Sequence, residues 1–194
     1  MSKDWTGGFR SVVGCLGASS HSEGEREAND YYATDPIAAE WLIRLENLDK
    51  NIWECACGEG HLAKVFEAHG YNVKATDLID RGYGQGGVDF LQCREKFDGD
   101  IITNPPYKYA EDFIQHALTL IPDGKRVCML LKVQFLEGKG RRDLYAIYPP
   151  FCICIIKQNQ TWRQRRFFKG KQYVGYCLVC LGKGLQRRHY FKVV

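Results

Sequence analysis

An α/β fold, with a mostly parallel sheet covered by helices on both faces, follows from three observations. Short apolar runs of strand length alternate with amphipathic stretches of helix length. Glycine- or proline-rich turns stand at the ends of those runs. A chain of 194 residues with 45% apolar and 13% aromatic residues has enough material for a sizeable buried core.

Residues 1–28 are rich in Gly, Ser and charge, show weak periodicity and read as a flexible arm, leaving 29–194 as one domain. Thr34-Asp35-Pro36 offers a helix cap and a first-turn proline, followed by Ile37, Trp41, Leu42 and Leu45 at helical spacing. Ile52-Trp53-Glu54-Cys55 is a short buried strand that breaks at Gly58 and Gly60. A helix follows with Leu62, Val65 and Phe66 on one face and Gly70 as its stop. Residues 71–76 form a second strand ending at Asp77, and a glycine-rich loop from Gly82 to Gly87 leads to a short strand around Val88. Asp100-Ile101-Ile102-Thr103 is a buried strand, 110–121 a helix with Phe113, Ile114, Ala117 and Leu118 inward, and 127–131 a fifth strand. Residues 151–156 and 173–181 complete seven strands and pair antiparallel at one sheet edge, because no helix separates them.

Composition excludes several classes. No apolar run approaches the roughly 18 residues that span a bilayer, so no membrane partner is expected. The first residues lack a signal-peptide core, which makes the cytoplasm the expected location. Nine cysteines, an odd number, argue against a disulfide framework. The pairs Cys55/Cys57, Cys152/Cys154 and Cys177/Cys180 sit in strand-like runs without the turn residues of a zinc knuckle, and read as buried thiols, with no metal. The net charge of +4 hides a split: residues 125–194 hold sixteen Lys or Arg against Glu137 and Asp143, a net of +14, whereas residues 1–124 carry −10. One side of the fold is therefore expected to face a polyanion.

Two turns carry chemistry. In Glu54-Cys55-Ala56-Cys57-Gly58-Glu59-Gly60, glycines let a ligand approach the backbone at a helix N-terminus. Asp77, ending the next strand beside Leu78, is placed to accept ribose hydroxyls, so the pair reads as an adenosine-binding half of a doubly wound sheet. In Asn104-Pro105-Pro106-Tyr107, each X-Pro bond keeps the preceding residue extended. The Asn104 amide oxygen and the Pro105 carbonyl can accept both hydrogens of one planar NH2 group and free its lone pair. Tyr107 can stack on the flat substrate.

These turns, with Asp89-Phe90, in this order, resemble the amino-group methyltransferases that use S-adenosylmethionine. Tyr31-Tyr32-Ala33-Thr34-Asp35-Pro36, Phe135-Leu136-Glu137-Gly138 and Gly182-Lys183-Gly184 make the chain resemble the small phage and mobile-element DNA N-6-adenine methyltransferases over roughly residues 26–184. The resemblance implies a Rossmann-like seven-stranded sheet whose last strand is antiparallel. It implies Tyr32, Thr34 and Pro36 beside the methionine part of the cofactor, Glu54, Ala56, Gly58 and Gly60 around the cofactor turn, Asp77 on the ribose, and Asp89 with Phe90 on the cofactor adenine. Asn104, Pro105, Pro106 and Tyr107 would hold the target base. Larger relatives carry a separate target-recognition domain, for which 194 residues are expected to leave no room; the resemblance then implies either no strict sequence specificity or a short site read by loops, a dimer or a partner.

DNA is the expected partner, and RNA adenine or protein glutamine are alternative acceptors for the same turn. A non-catalytic nucleic-acid binder is a further alternative. The DNA surface is expected on Lys139, Arg141 and Arg142 after the fifth strand, and on Arg163, Arg165, Arg166 and Lys169 between the last two strands, where Trp162, Phe167 and Phe168 interleave.

Overall fold

The computed structural model describes residues 34–156, 176–182 and 190–193. They build one seven-stranded sheet from β1 (Asn51–Glu54), β2 (Asn72–Ala75), β3 (Asp100–Thr103), β4 (Arg126–Lys132), β5 (Cys152–Ile156), β6 (Tyr176–Gly182) and β7 (Tyr190–Val193). The helices among the described residues are α1 (Ile37–Leu45), α2 (His61–Ala68), α3 (Ala110–Leu120) and α4 (Arg142–Ile147).

The sheet order is β2-β1-β3-β4-β6-β5-β7. Strands β1 to β4 pair in parallel, β6 is antiparallel to both β4 and β5, and β7 is parallel to β5. Six strands therefore run one way and β6 alone opposes them. The expected antiparallel strand exists, but it is the penultimate strand in the chain and lies inside the sheet, not at its edge.

Alternation along the strands sorts side chains into two cores. Ile52, Ile102, Cys128, Leu130 and Leu178 face α1 and α2 through Ala39, Leu42, Leu62 and Phe66. Trp53, Ile101, Val127, Met129, Leu131 and Val179 face α3 through Phe113, Ile114, Ala117 and Leu118. Strands buried on both sides read as continuous apolar runs, which is why β3 and β4 were recognisable in the sequence. In α1 the buried residues are Ala38, Ala39 and Leu42, and Ile37 is exposed, so the inward stripe is rotated from the expected one.

The strand expected around Val88 is absent. Instead the loop folds back on the end of β2: Gln85 N–H donates to the Ala75 carbonyl (2.9 Å), and Asp77 N–H to the Gln85 carbonyl (3.0 Å). Gly84 makes this possible, because a Cβ there would lie 2.7 Å from the Ala75 oxygen. The seventh strand is β7, at the opposite edge and outside the expected set.

The amino-terminal end of the sheet is tied by Asp100, which is fully buried. Its carboxylate accepts the backbone N–H of Asp49 (2.7 Å) and of Arg126 (2.7 Å), joining the entries to β1, β3 and β4. Among the described residues seven cysteines are buried and Cys93 is half-buried. Cys128, Cys180 and Cys152 are register partners across β4, β6 and β5. No helix among the described residues is long and apolar enough to cross a membrane.

Candidate active site

The chain turns back at β1: β2 lies on one side of it and β3 on the other. Loops leaving the carboxyl ends of strands at such a switch point diverge and open a ligand crevice. The two turns singled out in the sequence, after β1 and after β3, leave these neighbouring strands.

The first turn is held by its own backbone. Cys57 N–H donates to the Thr76 carbonyl (3.0 Å), and Gly60 N–H to the Cys57 carbonyl (2.8 Å). Gly58 and Gly60 are left-handed (φ 56° and 78°), which a side chain would resist. A Cβ on Gly60 would also come 2.4 Å from the Tyr83 ring, which packs against the turn while its hydroxyl donates to Glu67 Oε1 (2.9 Å). Asp77 bridges the two halves: Oδ2 accepts the Gly58 N–H (2.8 Å) and Oδ1 the Ile79 N–H (2.9 Å). Each carboxylate oxygen carries two lone pairs, so capacity for two hydroxyls remains. Ala56 and Leu78 are half-buried alongside.

Glu54 ends β1 with 2% of its surface exposed. The Ala63 backbone N–H donates to its carboxylate, and Oε2 has no hydrogen-bond partner among the described residues. Burial pushes its pKa well above the usual carboxylate range, and the nearby charges of Asp77 and Glu67 push the same way. A cation placed beside Oε2 would satisfy this group.

Asp89 Oδ1 accepts the Leu91 N–H (3.1 Å) and starts the short turn Phe90–Gln92. The Phe90 ring is core: it meets Trp53 edge-on (centroids 5.3 Å), Phe113 (5.0 Å) and His116 (5.1 Å).

After β3, Pro106 carbonyl accepts the Tyr109 N–H (2.9 Å), closing the turn Tyr107–Tyr109 and leading into α3. Asn104 Nδ2 donates to Thr34 Oγ1 (2.9 Å), a contact across 70 residues. Within Thr34-Asp35-Pro36, the segment expected to cap α1, Asp35 Oδ1 accepts the Ile37 N–H (3.0 Å). Pro36 is exposed at the start of α1. Lys132 Nζ lies 4.5 Å over the Tyr107 ring, and Tyr176 is tilted against it at 6.3 Å. Sequence reasoning missed Tyr83, Lys132 and Tyr176, because each meets the site only through tertiary packing.

Of the expected DNA-binding residues, Arg142 is exposed at the start of α4. Arg141 is occupied by its own loop: its guanidinium stacks 3.9 Å over Phe135, and Nη1 donates to the Phe135 carbonyl (2.9 Å). Tyr32, the side chain of Lys139, and Arg163, Arg165, Arg166 and Lys169 lie outside the described residues.

No family model matches the chain, and no curated protein matches it. Solved structures do. A Listeria monocytogenes protein described as a class I S-adenosylmethionine-dependent methyltransferase aligns over 89% of this chain and 67% of its own, with a TM-score of 0.59 and 16% identity. The 23S rRNA methyltransferase ErmE aligns over 81% and 72% (TM-score 0.54, 15% identity). A Vibrio vulnificus protein described as the modification subunit of a type I restriction enzyme aligns over 83% of this chain but only 45% of its own length (TM-score 0.55, 12% identity). By its sheet order, its switch point and these likenesses, the chain has the Rossmann-like fold of the class I methyltransferases.

Proposed function

We propose that the chain transfers a methyl group from S-adenosylmethionine to the exocyclic amino nitrogen of adenine in DNA. The observation that carries this reading is the position of Asn104-Pro105-Pro106-Tyr107: at the carboxyl end of β3, next to β1 and its glycine turn.

The residues present suit the cofactor. Gly58 and Gly60 keep the turn free of side chains, Asp77 has acceptor capacity for ribose hydroxyls, and buried Glu54 presents an oxygen suited to an ammonium group. When bound, the cofactor supplies an electrophilic methyl group. The chain's own part is to present the acceptor. Asn104, anchored through Nδ2 to Thr34, directs Oδ1 to one hydrogen of the target amine. The Pro105 carbonyl takes the other, which withdraws the nitrogen lone pair from ring conjugation. Tyr107 offers its ring for stacking. An amine inside a duplex cannot reach this crevice, so the base leaves the stack.

The net +14 of residues 125–194 suits a polynucleotide and disfavours a protein acceptor. ErmE is by name an rRNA methyltransferase, which keeps RNA as the second reading. Incubation with tritiated cofactor and DNA, RNA or protein pools, followed by nucleoside analysis, separates the readings. N6-methyladenosine in its deoxy form is expected. Label confined to protein, or to a base other than adenine, would overturn the proposal. Asn104→Ala should abolish turnover with cofactor affinity unchanged.

A further inference from the structure

Lys132 and Tyr176 are register partners at the end of β4 and the start of β6. Met129, three residues before Lys132, pairs with Thr103, the residue before Asn104. Alternation along β4 puts Lys132 on the face of Cys128 and Leu130, the face from which Thr34 reaches Asn104. The result is an aromatic pair, Tyr107 and Tyr176, with the ammonium of the half-buried residue Lys132 lying over the Tyr107 ring.

A cation in the wall of a base site discriminates between acceptors. A glutamine side chain brings no anion with its amide. A nucleotide brings a phosphate a few ångströms from its base, and the base seated on Tyr107 carries that phosphate toward the rim. The four-carbon stem of Lys132 lets its ammonium leave the ring face and meet that charge. We infer that Lys132 binds the phosphodiester flanking the target nucleotide, which makes the substrate a nucleotide within a strand. This rests on the reading of Asn104 as the acceptor-holding residue.

The test uses the full chain and Lys132→Met, which keeps the stem and removes the charge, with Lys132→Arg as the conservative variant. Methyl transfer to an adenine-containing oligodeoxynucleotide is measured over a salt series, with cofactor Kd and thermal melting followed in parallel. Lys132→Met should raise KM for the oligonucleotide about 10-fold, leave kcat within about 2-fold, and reduce the slope of log KM against log salt by about one, the signature of one lost phosphate contact. Cofactor Kd should not move, and Lys132→Arg should restore the slope. An unchanged salt slope in Lys132→Met overturns the inference. So does a loss confined to kcat, which would make Lys132 a support for Tyr107. If the wild-type chain binds cofactor yet methylates a protein pool and no nucleic acid, the underlying reading fails as well.

Discussion

In the proposed reaction, the Thr34 hydroxyl, 2.9 Å from Asn104 Nδ2, sets which end of that amide would meet the acceptor. With the NH2 group held by Thr34, the oxygen faces the other way, and only the oxygen can accept a hydrogen from an amine. Thr34→Val keeps the shape and removes the acceptor. It should lower kcat by about 10- to 100-fold, the scale of a lost orienting hydrogen bond, with cofactor Kd unchanged and activity largely recovered in Thr34→Ser. Unaltered kcat in Thr34→Val would show that Asn104 orients itself. Glu54 gives a pH signature. Its folded-state pKa is raised above the ordinary 4.5, so the folded protein holds this proton more tightly than the unfolded chain. Its stability contribution is present below that ordinary value and is lost as pH rises toward the raised one. Glu54→Gln should therefore melt higher than wild type at alkaline pH without cofactor. In calorimetry, wild-type cofactor affinity should rise with pH over this window, and Glu54→Gln should bind weakly with a flat profile. The candidate site was legible because Asn104, Gly58, Gly60 and Asp77 stand in local strings at the ends of recognisable strands. The bond between Thr34 and Asn104 was not legible, because sequence shows a neighbour two residues away and hides one 70 residues away.

Elements were legible where burial is two-sided. Runs such as Asp100–Thr103 and the core of Arg126–Lys132 announce themselves, whereas the segment near Val88 offers only one apolar residue after glycines. Close approach to the Ala75 carbonyl decided that segment, and no propensity encodes it. Likewise Asp100 looks in sequence like the polar start of a strand, yet it is fully buried and ties three strands together. Asp100→Ala leaves two backbone N–H groups without their acceptor, so urea unfolding should show a loss of about 2–5 kcal/mol. The site at the other end of the sheet should keep its cofactor Kd in the folded fraction. In the 133–141 segment the basic residues are legible in sequence, but the stacking of Arg141 on Phe135 and its bond to the Phe135 carbonyl are not. Arg141→Ala should therefore loosen this loop, measured as a gain in proteolytic cleavage there.

For the molecule as a whole, the sulfur inventory offers a readout of global opening. Cys55, Cys57, Cys128, Cys152, Cys154, Cys177 and Cys180 are buried, and burial raises the pKa of Cys57 and Cys177 to about 12. Thiolates are the reactive species, so these groups should resist a disulfide reagent in native buffer and react together as urea unfolds the sheet. Stepwise release of thiols well before the unfolding midpoint would contradict a single cooperative core. The two halves of the crevice also differ in how far the chain must travel to make them. Gly58 and Asp77 meet across 19 residues, through one helix and one strand that follow one another directly. Asn104 and Thr34 close a loop of 70. Contacts between distant segments carry the larger closure entropy and form more slowly. Time therefore separates what space brings together: on dilution from denaturant, the ability to bind the cofactor should return ahead of the ability to turn it over, and the lag should measure how long the first helix takes to find the third strand.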